Sequence, residues 1–321
     1  MSSIDSIPIV ILAGSDSEPA QLPLSGAGKH PLRGPKALQI ILGGQPLIDL
    51  LIERLREVDA FGPVFVAGPH LAYGTRRGGV EVIDTDGSFG ENLRAAVEAV
   101  RERCPGRPIA FTACDILPAP EEMDELLVDY HTHRPLDFWF PVILAPRQRE
   151  LLGASAWKPQ YGIVPNGGGP ARPVLPGHLV IVDPDALRLG FIYRSFELAY
   201  RSRNRSLVYR FFFVVAHLLM HLLGKDLRQL LRLRPPVVTV SAVYQAMVIV
   251  AKERGRTMTT EELARRFRAI YVRSEHRRRH PERRGRLPLM AALSLAKDMD
   301  TQEEAEELAR DFEPSEAGGV P

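Results

Sequence analysis

The first 115 residues alternate short, wholly apolar runs with stretches whose apolar residues recur at helical spacing. Ile7 to Leu12 is an unbroken apolar run that ends at Ala13-Gly14. A strand apolar on every residue is buried on both faces, which is the condition of a parallel sheet covered by helices. Leu47, Leu50, Leu51, Leu55 and Val58 follow at helical spacing, with Glu53, Arg54 and Glu57 turned away. Pro63 to Ala67 and Val80 to Ile83 read as strands, Asn92 to Arg103 as a helix, and Pro108 to Ala113 as another apolar strand running into Cys114-Asp115. This alternation predicts an α/β fold: a three-layer α/β/α domain with a mainly parallel sheet.

Beyond that core the pattern loosens. Asp137 to Leu144 reads as one strand. Tyr161 to Val164 and His178 to Val182 read as two more, joined by the Gly/Pro-rich stretch Pro165 to Gly177. From Asp185 the chain turns helical and basic: Ala186 to Gln229 is a helical stretch, and Val237 to Val240 a brief extended run. Ser241 is placed to cap a helix through Arg254, and Thr259 or Thr260 another, with Glu261 and Glu262 in its first turn. Arg273 to Arg286 holds seven Arg and two Glu and is expected to be an exposed, mobile loop, dispensable for chemistry. Asp298 to Asp311 reads as a closing helix and Glu313 to Pro321 as a frayed tail. The expected organisation is a core over 1–185, a helical accessory segment over 186–286, and a segment of the core over 287–313.

Composition excludes several classes. Of 321 residues 45% are hydrophobic and 25% charged, which suits a packed core and not a disordered chain or a rod. The net charge of +2 does not by itself point to nucleic acid. Cys104 and Cys114, the two cysteines, make no disulfide framework and no zinc pattern, so a reducing, cytoplasmic setting is expected. The apolar run Phe211 to Leu223 is broken by His217 and His221 and falls short of the ~20 residues that span a bilayer, so no membrane span is expected.

Chemistry is expected where strands end, because ligands of parallel α/β sheets sit beyond the carboxyl ends of the strands. One such end is Leu12-Ala13-Gly14, followed by a Gly/Pro/Ser-rich loop to Pro35 and then Lys36. Glycines let backbone N–H groups approach phosphate oxygens, and a lysine offsets their charge. The other is Asp115, a carboxylate suited to Mg²⁺. Ser25 to His30 imitates a phosphate-binding P-loop, but Pro23 and His30 occupy positions that pattern reserves for Gly and Ser/Thr. His217 and His221 have zinc-ligand spacing but no third ligand, which favours the polar side of a half-buried helix. Arg194, Arg201, Arg203, Arg205 and Arg210 either grip an anionic acceptor or form a solvated face. Arg277 to Arg279 with Arg283 and Arg284 could meet nucleic acid or anionic lipid, but they lack interleaved aromatics, so neither is favoured and no nucleic acid partner is expected.

Five segments in order resemble one family. Ile11-Leu12-Ala13-Gly14, Pro35-Lys36-Ala37-Leu38, Gly44-Gln45-Pro46-Leu47-Ile48, Gly87 to Leu93, and Lys297 to Glu304, together with Asp115, are similar to the nucleotidyltransferases of glycosyltransferase-A type. The molybdenum cofactor guanylyltransferases and the sugar-phosphate nucleotidyltransferases are examples. Ser15 stands where that pattern has a second glycine, and Gln302 where it has proline. The resemblance implies a nucleotide-diphospho-sugar transferase-like fold with an added helical segment. It implies transfer of an NMP from an NTP to a phosphorylated small-molecule acceptor, with release of pyrophosphate. It also implies nucleotide contacts at Leu12, Ala13, Gly14, Lys36, Ser88 and Asn92, and Mg²⁺ or Mn²⁺ held by Asp115 with Asp300 or Asp298. Lys36 and Asp115 are then the catalytic pair. Asn92 alternatively caps its helix, and the segment 186–286 shapes the acceptor site or a homodimer interface. Two rival readings are a nucleotide-sugar-dependent glycosyltransferase on the same fold, which wants a second aspartate near Asp115, and a degenerate, non-catalytic nucleotide-binding module.

Overall fold

A computed structural model describes residues 6–15, 32–74, 80–148, 150–153, 160–202 and 238–312, with isolated positions between 209 and 231. The P-loop-like stretch, most of the glycine-bearing loop, Arg203, Arg205, Arg210, His221 and the C-terminal tail lie outside the described residues.

In chain order the strands are β1 (Ile7–Leu12), β2 (Ile41–Leu42), β3 (Gln45–Pro46), β4 (Phe61–Gly68), β5 (Glu81–Asp84), β6 (Ile109–Ala113), β7 (Leu136–Trp139), β8 (Val142–Leu144), β9 (Tyr161–Ile163), β10 (Arg172–Pro176), β11 (Leu179–Val182), β12 (Arg284–Arg286) and β13 (Leu289–Met290). The helices are α1 (Lys36–Gln39), α2 (Leu47–Glu57), α3 (His70–Tyr73), α4 (Phe89–Arg103), α5 (Pro120–Thr132), α6 (Leu189–Arg201), α7 (Val238–Arg254), α8 (Thr260–Tyr271), α9 (Ser274–Arg279) and α10 (Gln302–Phe312). The described positions from 209 to 227 are also helical.

A seven-stranded sheet runs in the order β12-β7-β11-β6-β1-β4-β5, and every pairing is parallel except those of β11. The apolar run of β1 divides between its two faces. Ile7, Ile9 and Ile11 pack with Ile48, Leu51 and Leu55 of α2 and Leu126 of α5. Val10 packs with Leu93, Ala96, Val97 and Val100 of α4 and with Tyr193 of α6. The expected three-layer α/β/α fold with a mainly parallel sheet is therefore the observed one.

Three expectations change. The single strand Asp137 to Leu144 is two: at Phe140-Pro141 the chain leaves the main sheet, and β8 joins a second sheet ordered β13-β8-β10-β9. That sheet gains β10 from the stretch expected to be loop, because Arg172–Pro176 finds partners on both sides. Val238 to Val240 is not extended but the first turn of α7, so Ser241 lies inside the helix. The N–H of Thr239 donates to Asp226 Oδ2 at 2.8 Å, so a carboxylate from the preceding helix satisfies an end that β-branched residues alone would not favour. Thr259 caps α8 as expected, accepting from the N–H of Glu262.

The Arg-rich segment departs furthest from expectation. It is not a loop: α9 and β12 occupy most of it, and β12 pairs with β7 as an edge strand of the main sheet. Arg283 just before β12 and Arg268 of α8 both bind Asp137, which is wholly buried. Arg286 pairs with Asp129.

Candidate active site

The register of the sheet builds the site. Leu12 lies beside Ala113, so Ala13-Gly14 and Cys114-Asp115 leave neighbouring parallel strands at the same end. The closing segment is stitched to that end. The N–H of Met299 donates to the carbonyl of Asp115 at 2.8 Å, and the N–H of Leu32 donates to the carbonyl of Asp300 at 3.0 Å. Thr301 and Glu304 form a capping box at the start of α10. Thr301 Oγ1 accepts from the N–H of Glu304, and Glu304 Oε2 accepts from the N–H groups of Asp300 and Thr301 at 2.7 and 3.0 Å. The box holds the backbone of Asp300 in place beside Asp115.

As a result Asp115, Asp298 and Asp300 each offer an oxygen, all within 4.8 Å of one another. Lys36, at the first turn of α1, reaches into this group: its Nζ lies 2.8 Å from Asp300 Oδ1 and 3.8 Å from Asp115 Oδ2. His178, between β10 and β11, sets Nε2 3.4 Å from Asp298 Oδ1. Burial pushes the Asp115 carboxyl up to about 6. Lys36 opposes that shift, Asp298 and Asp300 add to it, and His178 opposes it. Three hard oxygen donors packed this tightly suit a small divalent cation such as Mg²⁺, and would share relief of their mutual repulsion with Lys36.

A second group forms where β1 and β5 end. The expected helix start at Asn92 is corrected: α4 begins at Phe89, and Ser88 is its cap, in a capping box with Glu91. Asn92 sits one turn inside, buried. Its Oδ1 accepts from Thr85 Oγ1 at 2.8 Å and from the N–H of Gly87 at 2.9 Å. A Cβ on Gly14 would lie 2.4 Å from Asn92 Nδ2, so any larger residue there must push the amide aside. Ser15 replaces the expected second glycine with a different anchor, because its N–H and hydroxyl donate to Asp86 Oδ1 and Oδ2 at 2.8 and 3.1 Å. The structure thus brings Gly14, Ser88 and Asn92 into one group, and Lys36, Asp115 and Asp300 into another. The hydroxyl of Ser88 is engaged in its cap.

Sequence reasoning missed His178 and Asp86. His178 heads a strand that was expected, but the strand before it, β10, is hidden in a Gly/Pro-rich stretch, and Asp86 lies in a turn that shows no pattern until β5 is laid beside β4. The Thr301-x-x-Glu304 box, by contrast, is a readable helix-start signal. On the outer side of α4, Gly90 lets α6 approach closely: a Cβ there would lie 2.8 Å from the carbonyl of Tyr193. Phe196 and Tyr200 of α6 meet the ring of Phe89 at centroid distances of 5.5 and 6.1 Å.

The family profile of the MobA-like NTP transferase domain matches residues 9–188. Among curated proteins no sequence matches the chain. Among solved structures, a CMP:2-keto-3-deoxy-manno-octonic acid synthetase complexed with CTP is similar at 16% identity and a TM-score of 0.41, over 67% of this chain and 86% of that one. The 4-diphosphocytidyl-2C-methyl-D-erythritol synthase of Anaerococcus prevotii is similar at 10% identity and a TM-score of 0.36, over 66% and 84%. HddC of Yersinia pseudotuberculosis complexed with GMP-PN is similar at 10% identity and a TM-score of 0.38, over 60% and 79%.

Proposed function

The chain belongs to the MobA-like NTP transferase domain family, and from that premise we propose that it transfers an NMP from an NTP to a phosphorylated small-molecule acceptor and releases pyrophosphate. The observation that carries this reading is the convergence of Lys36 with Asp115, Asp298 and Asp300 beside the Gly14 turn. Acceptor phosphate and triphosphate repel each other, so the barrier is largely electrostatic. The acceptor phosphate is already an anionic nucleophile at neutral pH, so the residues need supply no general base.

In this reading the residues divide the work. The α-phosphorus–oxygen bond to pyrophosphate breaks as the acceptor oxygen bonds to the α-phosphorus. Lys36 stabilises the charge that gathers on the leaving pyrophosphate. Asp115, Asp298 and Asp300 would hold Mg²⁺ or Mn²⁺, which when bound supplies positive charge to the phosphates. The backbone at Leu12 to Gly14 and the turn from Ser88 to Asn92 hold the nucleoside, positioning it for attack. Lys36, paired with Asp300 and Asp115, lies within reach of phosphates brought to these carboxylates.

The test is a screen of the four NTPs with Mg²⁺ against pooled phosphorylated metabolites, read by pyrophosphate release and by the mass of the product. Pyrophosphate accompanied by an NDP-linked product is expected. Metal-dependent NTP binding without turnover on any acceptor would instead make the chain a non-catalytic binding module. A narrower expectation concerns Gly14→Ala. Its new Cβ displaces Asn92, which then loses its bonds to Thr85 and Gly87. NTP affinity should fall by about tenfold or more, the scale of one lost buried hydrogen bond. Isothermal calorimetry checks it, and unchanged affinity in both Gly14→Ala and Asn92→Ala would remove this turn from the nucleotide site.

A further inference from the structure

The helical segment after α6 carries an apolar surface that the nucleotide site does not use. On its inner side Leu222, 3% exposed, packs with Phe191, Ala242 and Ile270, and Asp226, 4% exposed, accepts from Thr239. On the other side Met220, Leu223, Leu227 and Leu231 are 60%, 56%, 60% and 78% exposed. Their spacing of three, four and four puts them in one stripe. Helix α7 repeats the arrangement: Ala242 is buried, while Val240, Tyr244 and Met247 are 71%, 60% and 67% exposed at a spacing of four and three. Single exposed apolar residues are ordinary, but two stripes of large ones mark a contact surface.

Charge selects the occupant. Residues 201–234 contain seven Arg and one Lys against one acid, Asp226, and that acid is turned inward. A second copy would bring two segments of this same net charge together. A nucleic acid would welcome the charge but has no use for stripes of Leu and Met. The headgroup region of an anionic bilayer takes both, seating aliphatic side chains at the acyl boundary and arginines among phosphates. Among the described residues no helix is long and apolar enough to cross a membrane. We propose that the stripe of Met220, Leu223, Leu227 and Leu231 and the stripe of Val240, Tyr244 and Met247 dock this protein peripherally on membranes rich in anionic lipid.

The experiment is flotation of the full chain with vesicles of phosphatidylcholine, alone or with about 30 mol % phosphatidylglycerol. At about 0.1 M salt, partition into the anionic vesicles should exceed that into neutral ones at least tenfold. Met220→Ser with Leu223→Ser and Leu227→Ser should lower it by about tenfold or more, with the thermal melt unchanged because these side chains are exposed. Tyr244→Ser with Met247→Ser is an independent pair should the first variant misfold, and it should lower partition likewise. Failure of the wild type to partition, or partition of both folded variants like wild type, overturns the proposal. So does a dimer, seen by light scattering without vesicles, that the triple variant splits, or retention of RNA without binding to vesicles.

Discussion

Asp115→Asn should lower nucleotidyl transfer by about 10²- to 10³-fold, the loss found when a principal electrostatic stabiliser is removed from a site. The substitution keeps the shape of the side chain but takes away its charge. It leaves in place the carbonyl of Asp115 that binds Met299 at 2.8 Å, so the closing segment stays docked. Burial already works against ionisation of this carboxyl, and the fold should therefore tolerate the neutral amide well. Lys36→Ala should cost activity on the same scale, but it leaves Asp115 and Asp300 without the cation they share. Paired kcat and KM measurements with a thermal melt distinguish the cases. A variant with normal turnover would show that its residue was wrongly assigned to the chemistry. Early melting of Asp115→Asn, with residual activity in proportion to folded protein, would make Asp115 a structural residue instead.

How much of this was legible beforehand depended on how local the cause was. The strands β1, β4 and β6 are largely buried on both faces, so their residues are apolar apart from Thr112 and announce themselves. The capped start of α8 is equally local, because Thr259 and its partner Glu262 are three positions apart. Lys36 and Asp115 stand out locally because they lie next to a helix start and a strand end, whereas the meeting of Asp115 with Asp300 was expected from the family resemblance alone. It depends on Met299 and Leu32 reaching across the fold. His178 and Asp86 were invisible for that same reason: each has its partner more than 70 positions away. The Arg-rich stretch was misread for a different physical reason. A run of like charges argues for solvent only while its counter-charges are unknown. Here they are supplied by Asp137 and Asp183, on or next to the strands β7 and β11, and by Asp129 of α5.

Asp137→Ala should therefore destabilise the fold by about 3–5 kcal/mol, the usual cost of breaking a buried ion pair from one side. Asp137 is wholly buried, with Arg268 Nε 2.6 Å from Oδ2, and Arg283 Nε and His276 Nε2 2.9 and 3.1 Å from Oδ1. Removing the carboxylate leaves two guanidinium groups facing each other with little water to screen them. Arg283 also binds Asp183 at 2.6 Å and the carbonyl of Leu136, so it is the clamp that holds the approach to β12 against β7. Arg283→Ala should accordingly cost several kcal/mol as well, and the double variant should cost less than the sum of the two, since each single change leaves a charge that the other removes. Arg279 makes the opposite comparison. Its pair with Glu275 is 71% and 65% exposed, so Arg279→Ser should change stability by no more than about 0.5 kcal/mol. Denaturant titration of the wild type and the four variants measures all of these differences. The acidic residue lies at the start of β7, at the end of the sheet away from Asp115, so NTP affinity of the folded variants should be unchanged. Equal, small effects for Asp137→Ala and Arg279→Ser would return the segment to the status of a solvated loop.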